Sequence, residues 1–292
     1  MKHRILLSLL LLVPTMLWAE GDDFGTWTEI GVEKSLGNYW DFGIEGEFRS
    51  QAKMRAGLGV SLSYKPCKYI KLGAGYTFLE SFKDEKTKLK DDEYDEFDYG
   101  ADDPYVYLSK RGFNTYPSYW NKRHRISVDV SGSVKLWKWL RISVRERYQY
   151  TIRPKQKIDK FEHREKYEPM LDFDDNWEPV LSTQLEETTD EWDTKDVDHA
   201  EDHVLRSRLK LEVDKKKWKA TPYISAEAHN SLNDKMLLEK VRTAIGFDYK
   251  ISKHHSVGMS YILTFGIFDD EGDHARLHER THALGIGYNY KF

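Results

Sequence analysis

Trp40-Asp41-Phe42-Gly43-Ile44-Glu45-Gly46-Glu47-Phe48-Arg49 decides the fold. Trp40, Phe42, Ile44 and Phe48 share one parity, and Asp41, Glu45, Glu47 and Arg49 share the other. Successive side chains of a strand point to opposite faces, so this stretch reads as one strand that is oily on one side and ionic on the other.

The same reading extends along the chain. In Arg55 to Tyr64, Ala56, Leu58, Val60, Leu62 and Tyr64 oppose Gly57, Gly59, Ser61 and Ser63; from Tyr69 to Phe78 the apolar set is Ile70, Leu72, Ala74, Tyr76 and Phe78. Comparable segments run near Arg123 to Lys135, Leu140 to Thr151, Val204 to Val213, Trp218 to Asn230, Lys240 to Lys250, His255 to Phe265 and Thr281 to Phe292, with a weaker one at Thr26 to Lys34. Most have about 10 residues, the length a tilted strand needs to cross a hydrocarbon layer. Tight turns are expected at Ser35 to Tyr39, Lys65 to Lys68, Leu136 to Trp139, Asp214 to Lys217 and Ile251 to His254. Long connections are expected at Glu80 to Asn121 and Ile152 to His203.

Short turns at one end and long loops at the other describe an all-β, antiparallel up-and-down transmembrane barrel of about 10 to 12 strands, the short turns periplasmic and the long loops extracellular. Trp40, Tyr64, Tyr69, Trp137, Trp139 and Trp218 gather beside the short turns, as an interfacial girdle requires. A terminal strand carrying Leu284, Ile286, Tyr288, Tyr290 and Phe292 resembles the assembly signal of outer-membrane proteins. The segments number about eleven, whereas bacterial single-chain barrels usually have an even count. Thr26 to Lys34 is the segment whose attachment the pattern leaves open.

The N-terminus fits export. Lys2 and Arg4 precede an apolar run from Ile5 to Val13 and then Ala19, so residues 1–19 read as a cleaved signal peptide and 20–292 as one barrel in the bacterial outer membrane. The single cysteine, Cys67, lies far from the cleavage point, which excludes a disulfide within one chain and gives no support to a lipoprotein anchor. Charged residues make up 32% of the chain with a net charge of −4, so no basic field for nucleic acid is expected.

Trp27, the strand from Trp40 to Arg49, Leu72 through Tyr76, the triplet Arg147, Tyr148 and Gln149, Arg206 with Arg208, Pro222 through Glu227, Arg242, and His282 to Phe292 follow one another in a characteristic order and spacing. In these residues the chain resembles a family of outer-membrane barrels known as domain of unknown function 2490. The resemblance implies a fold and a location and brings no catalytic residues with it.

The ionic faces supply the candidate site. Arg49, Arg141, Arg145, Arg147, Arg206, Arg208 and Arg242 stand ready to meet Glu45, Glu47 and Glu227, with Glu29, Asp129, Lys210, Glu212 and Asp248 in the same set. One reading is structural: a narrow lumen filled by arginine forks on carboxylates. The alternative is a narrow solute or ion pore lined by an arginine ladder. The structural reading is preferred, because narrow barrels are commonly filled by side chains.

The connection from Lys83 to Trp120 mixes acids such as Asp91, Asp92 and Glu93 with aromatics such as Tyr94, Phe97 and Tyr105, without the spacing of a known calcium loop. The second, with its acids from Asp172 to Asp202, is expected to be extended and mobile, since like charges repel. For a lipid-modifying enzyme the candidate histidines are His124, His229, His254, His255, His274, His278 and His282, but no spacing ties one to a serine and no Gly-x-Ser-x-Gly or His-Glu-x-x-His occurs. No enzyme, cofactor or metal is expected. The expected partners are outer-membrane lipid and lipopolysaccharide, the barrel-assembly machinery during insertion, and a surface ligand left open.

Overall fold

The computed structural model describes residues 23–50, 54–100, 104–215, 218–269 and 276–292; the expected signal peptide and His274 lie outside them. Sixteen strands are formed among these residues: β1 Asp23–Leu36, β2 Trp40–Ser50, β3 Arg55–Tyr64, β4 Ile70–Lys83, β5 Lys86–Leu89, β6 Glu93–Phe97, β7 Tyr105–Tyr116, β8 Tyr119–Lys135, β9 Leu140–Arg153, β10 Gln156–Phe173, β11 Pro179–Val197, β12 Ala200–Val213, β13 Ala220–Ser231, β14 Leu237–Lys250, β15 His255–Asp269 and β16 Arg276–Lys291. No helix among the described residues is long and apolar enough to cross a membrane.

Two compact units emerge, one holding the chain up to Ser81 with Lys122–Arg153 and Glu201–Phe292, the other Phe82–Asn121 with Pro154–Ala200. The first is a closed barrel of eleven strands in the order β1-β16-β15-β14-β13-β12-β9-β8-β4-β3-β2. The expected tight turns at Ser35 to Tyr39, Lys65 to Lys68, Leu136 to Trp139 and Ile251 to His254 are present between its strands, and Lys216 and Lys217 of the fifth lie outside the described residues. Gly37, at φ 75°, takes the left-handed conformation that turns β1 into β2, one that glycine adopts without steric cost.

The odd strand count has a structural explanation. Every registered pair in the barrel is antiparallel except β1 with β16, which run parallel from Asp23↔Thr281 to Glu33↔Lys291. The weak first segment is therefore the closing stave, which an antiparallel meander alone does not account for: Phe292 donates its backbone N–H to the carbonyl of Glu33 at 2.9 Å, and the Lys291 ammonium reaches the Glu33 carboxylate at 3.0 Å.

The barrel is inverted relative to a water-soluble protein. Trp40, Leu58 and Ile286 are 44%, 62% and 41% exposed on its outer face, whereas the buried residues include Gln149, Thr151, Glu227 and His229. Only four apolar side chains of the described residues, Leu79, Val204, Ile262 and Ala283, are buried. At the short-turn end, Trp40 lies 4.7 Å from Tyr64 between ring centroids and Trp137 stacks on Trp139 at 5.6 Å, so the expected aromatic cluster forms.

The second unit corrects the expectation that the acidic connection from Ile152 to His203 is mobile. Its segments form a five-stranded sheet ordered β11-β10-β7-β5, with β6 also paired to β7. β10 and β11 pair antiparallel from Gln156↔Val197 to Phe173↔Pro179. The acids of β11 do not simply repel, because β10 sets bases against them. Lys160 bridges Glu162 at 2.5 Å and Asp193 at 2.8 Å, and Lys166 reaches Glu186 at 2.5 Å. Phe161, opposite Trp192 with 5.2 Å between rings, adds apolar contact to the hairpin.

Candidate functional site: the barrel lumen

Alternation along each strand turns the ionic residues of β1, β2, β8, β9, β12, β13 and β14 toward the enclosed axis. Glu227 of β13 is the hub. Its Oε1 accepts from Nε and Nη2 of Arg206 at 3.2 and 2.6 Å and from Nε2 of His229 at 2.8 Å, with Arg242 at 3.6 Å; its Oε2 accepts from Arg145 at 3.0 Å. Arg206 also donates to the side-chain oxygen of Gln149 at 3.0 Å. Adjacent-strand partners come from β12 and β14, and Arg145 reaches over from β9.

A second knot forms on β2 and β3. Glu47 accepts from Arg49 at 2.8 Å and faces Arg55 at 3.3 Å. The guanidinium carbon of Arg49 lies 3.2 Å from the ring centroid of Trp27, and that of Arg242 lies 4.7 Å from it. One indole on β1 thus joins a cation from β2 to a cation from β14, and the two knots become one lattice across the lumen. Toward the rim away from the short turns, Leu79, Ser81, Thr151, His229 and Ser231 are buried, so side chains fill the barrel there.

The remaining expected residues lie on the other side of this lattice. Arg147 binds Oδ1 of Asp129 through Nε and Nη2 at 3.1 and 2.7 Å. The close approach of that aspartate explains Gly73, where an added Cβ would stand 2.8 Å from Asp129 Oδ2. Arg208 and Glu45 line the same open space. Arg141 stands apart from the lattice: it pairs with Asp214 at 2.9 Å beside Lys135, next to the short turns.

That open space is a vestibule of about 820 Å³, reaching from the lattice to Lys65, Lys68 and Tyr69 of a short turn. Its walls are small and polar, with Ser61, Ser127, Ser143, Ser225 and Ser260 among them.

Sequence parity alone had not singled out Arg55, Arg125, His229 or Trp27 for the site. Arg55 shares its parity with Ser61 and Ser63, Arg125 with Asp129, and His229 with Glu227, so extending the alternation by two residues finds all three. Trp27 shares its parity with Glu29, but a large aromatic on that face reads as an outward residue, so the signal was there and the residue type masked it.

Three carboxylates, Glu29, Glu45 and Glu47, bring oxygens within 4.8 Å of one another. Glu47 is already compensated by Arg49 and Arg55, so guanidinium serves there as the counter-charge. The histidines weighed for catalysis have other company. His124, His255 and His282 meet the hydroxyls of Tyr76, Tyr288 and Tyr261, and His229 belongs to the Glu227 hub.

The family described as Protein of unknown function (DUF2490) matches residues 24–270. The chain belongs to this family. The match spans β1 through β15, so both knots of the lumen lattice lie within the part that defines membership in DUF2490. No curated protein matches the chain.

Proposed function

We propose that this DUF2490 barrel resides in the bacterial outer membrane, exported by a cleaved signal peptide, and has a structural or surface-binding role with a closed lumen. The observation that carries the reading is the inverted distribution of polarity. Exposed Trp, Leu, Ile and Val side chains such as Trp40, Ile44, Leu58, Val60, Val128 and Ile286 recur on the outward parity of the staves, and lipid is the solvent that suits such a face. Closure of the barrel leaves no unpaired strand edge in that solvent.

The lattice favours a non-conducting lumen over an arginine-lined pore, because its guanidinium groups are spent on Glu227, Glu47 and Trp27 rather than presented to a passing solute. The same pairing argues against a catalytic role for these groups. Lipopolysaccharide is the surface ligand expected of this location, and the assembly machinery the transient partner.

Reconstitution in planar bilayers tests the proposal. A folded, inserted chain is expected to show no stable conductance step. Discrete ion-selective steps would replace this reading with the narrow pore.

A further inference from the structure

The vestibule is not explained by a filling role. Within a lumen packed by arginine and glutamate toward one rim, the inward positions change toward serine and glycine over the short-turn half, leaving about 820 Å³ open. That is the volume of a small-molecule pocket rather than of a packing defect, since ligand sites run from about 300 to 1,000 Å³.

Its charge is also opposite to that of the chain. Eleven basic side chains line it against seven acidic ones, an excess of four positive charges, while the whole chain carries −4. Four of the bases, Lys68, Lys71, Arg125 and Arg208, have no carboxylate at ion-pairing distance among the described residues, and the two arginines stand deepest, among the lattice residues.

We infer that the vestibule is a binding site for a small anionic, hydroxyl-rich solute, a sugar bearing a phosphate or a carboxylate. Arg125 and Arg208 meet the anion with planar donor forks, the geometry that suits phosphate and carboxylate oxygens. The serine hydroxyls of Ser127, Ser225 and Ser260, each both donor and acceptor, meet the sugar hydroxyls. The lattice of Glu227, Arg206 and Arg242 is the floor that retains the solute, and entry is from the short-turn end. The inference rests on the proposed closed-lumen barrel, because an open channel would pass such a solute rather than hold it.

Isothermal titration of the full folded chain in detergent tests it, with glucose 6-phosphate, glucuronate and glucose as probes. At least one anion is expected to bind at least tenfold more tightly than glucose, and its affinity to fall as salt is raised. Binding of the phosphate alone or the carboxylate alone supports the site and identifies its anion. Arg125→Gln with Arg208→Gln is expected to weaken that binding at least tenfold while the heat-modifiable migration of the barrel is kept. Silence to both anions, equal affinity for glucose, or unchanged binding by the folded double variant would overturn the inference. The comparison of anion with glucose on the unaltered chain decides even where the variant does not fold. A chain that folds and inserts without conductance yet ignores both anions loses only the vestibule proposal; a chain that conducts or does not insert loses the reading beneath it.

Discussion

Arg206 places two of its nitrogens on one carboxylate oxygen of Glu227, at 3.2 and 2.6 Å, and Arg145, His229 and Arg242 crowd the same group. Removing the carboxylate leaves several basic groups facing one another in a buried space. Glu227→Ala is therefore expected to destabilise the barrel by about 3 to 5 kcal/mol, the cost of breaking a buried pair from one side. Glu227→Gln, which keeps an acceptor of the same shape, is expected to lose less. Equilibrium urea unfolding of the folded protein in lipid vesicles measures both, and a Glu227→Ala midpoint equal to that of the unaltered chain would show that the lattice is idle.

Trp27 links the two halves of that lattice through Arg49 and Arg242. A cation over an indole contributes about 0.5 to 2 kcal/mol, more when water is excluded. Trp27→Leu is expected to cost about 1 to 3 kcal/mol in the same unfolding experiment. In the Arg242→Gln background the cost of Trp27→Leu is expected to shrink, and strict additivity would mean that the indole and guanidinium are not coupled.

The parallel closure also makes a prediction. Thr28 stands opposite Ile286 in the register of β1 and β16. Cysteines placed at both positions, with Cys67→Ala to remove the exposed native thiol, are expected to cross-link under mild oxidation and to shift migration on a denaturing gel. A barrel closed by β2 on β16 would leave the two cysteines on non-neighbouring strands, and no cross-link would form.

His163 gives the second unit a pH dependence. Its Nδ1 meets Asp190 at 2.6 Å and its Nε2 meets Glu165 at 3.3 Å, while the ring stacks on Phe113 at 4.7 Å. The hydrogen bonds to Asp190 and then Glu165 raise its pKa above the ordinary 6.5. A pKa raised by folding contributes stability that is fully present below the unfolded value and is lost as pH climbs through the folded one. Amide exchange of β10 and β11 is thus expected to accelerate from about pH 6.5 upward beyond its intrinsic pH trend. In His163→Gln that extra acceleration should vanish; its persistence would place the titrating group elsewhere.

How much of this was legible in the sequence depends on the range of the interaction. Trp40 through Arg49 shows its two faces because side-chain direction is local, and the same holds for each stave and for the tight turns. The ionic lumen was legible for that reason, with Arg145, Arg206 and Glu227 all at inward positions. What alternation does not carry is partner choice. Nothing in Thr26 to Lys34 states that it lies parallel to β16 rather than outside the barrel. The acids of β11 looked self-repelling because Lys160 and Lys166, which neutralise Asp193 and Glu186, sit far back in sequence on β10. The vestibule was invisible for a third reason: Gly73, Ser127 and Ser260 read as unremarkable polar-face residues, and the space they leave exists only once the barrel is closed.

The central claim is that the oily parity of each strand faces lipid and the ionic parity an aqueous interior. Spin labels at Leu58→Cys and at Ser225→Cys, each in the Cys67→Ala chain inserted in vesicles, measure this through power saturation with oxygen and with a water-soluble nickel chelate. The label at position 58 is expected to be relaxed by oxygen and shielded from nickel, and the label at position 225 to show the reverse preference. Nickel access at position 58 equal to or above that at position 225 would contradict the account.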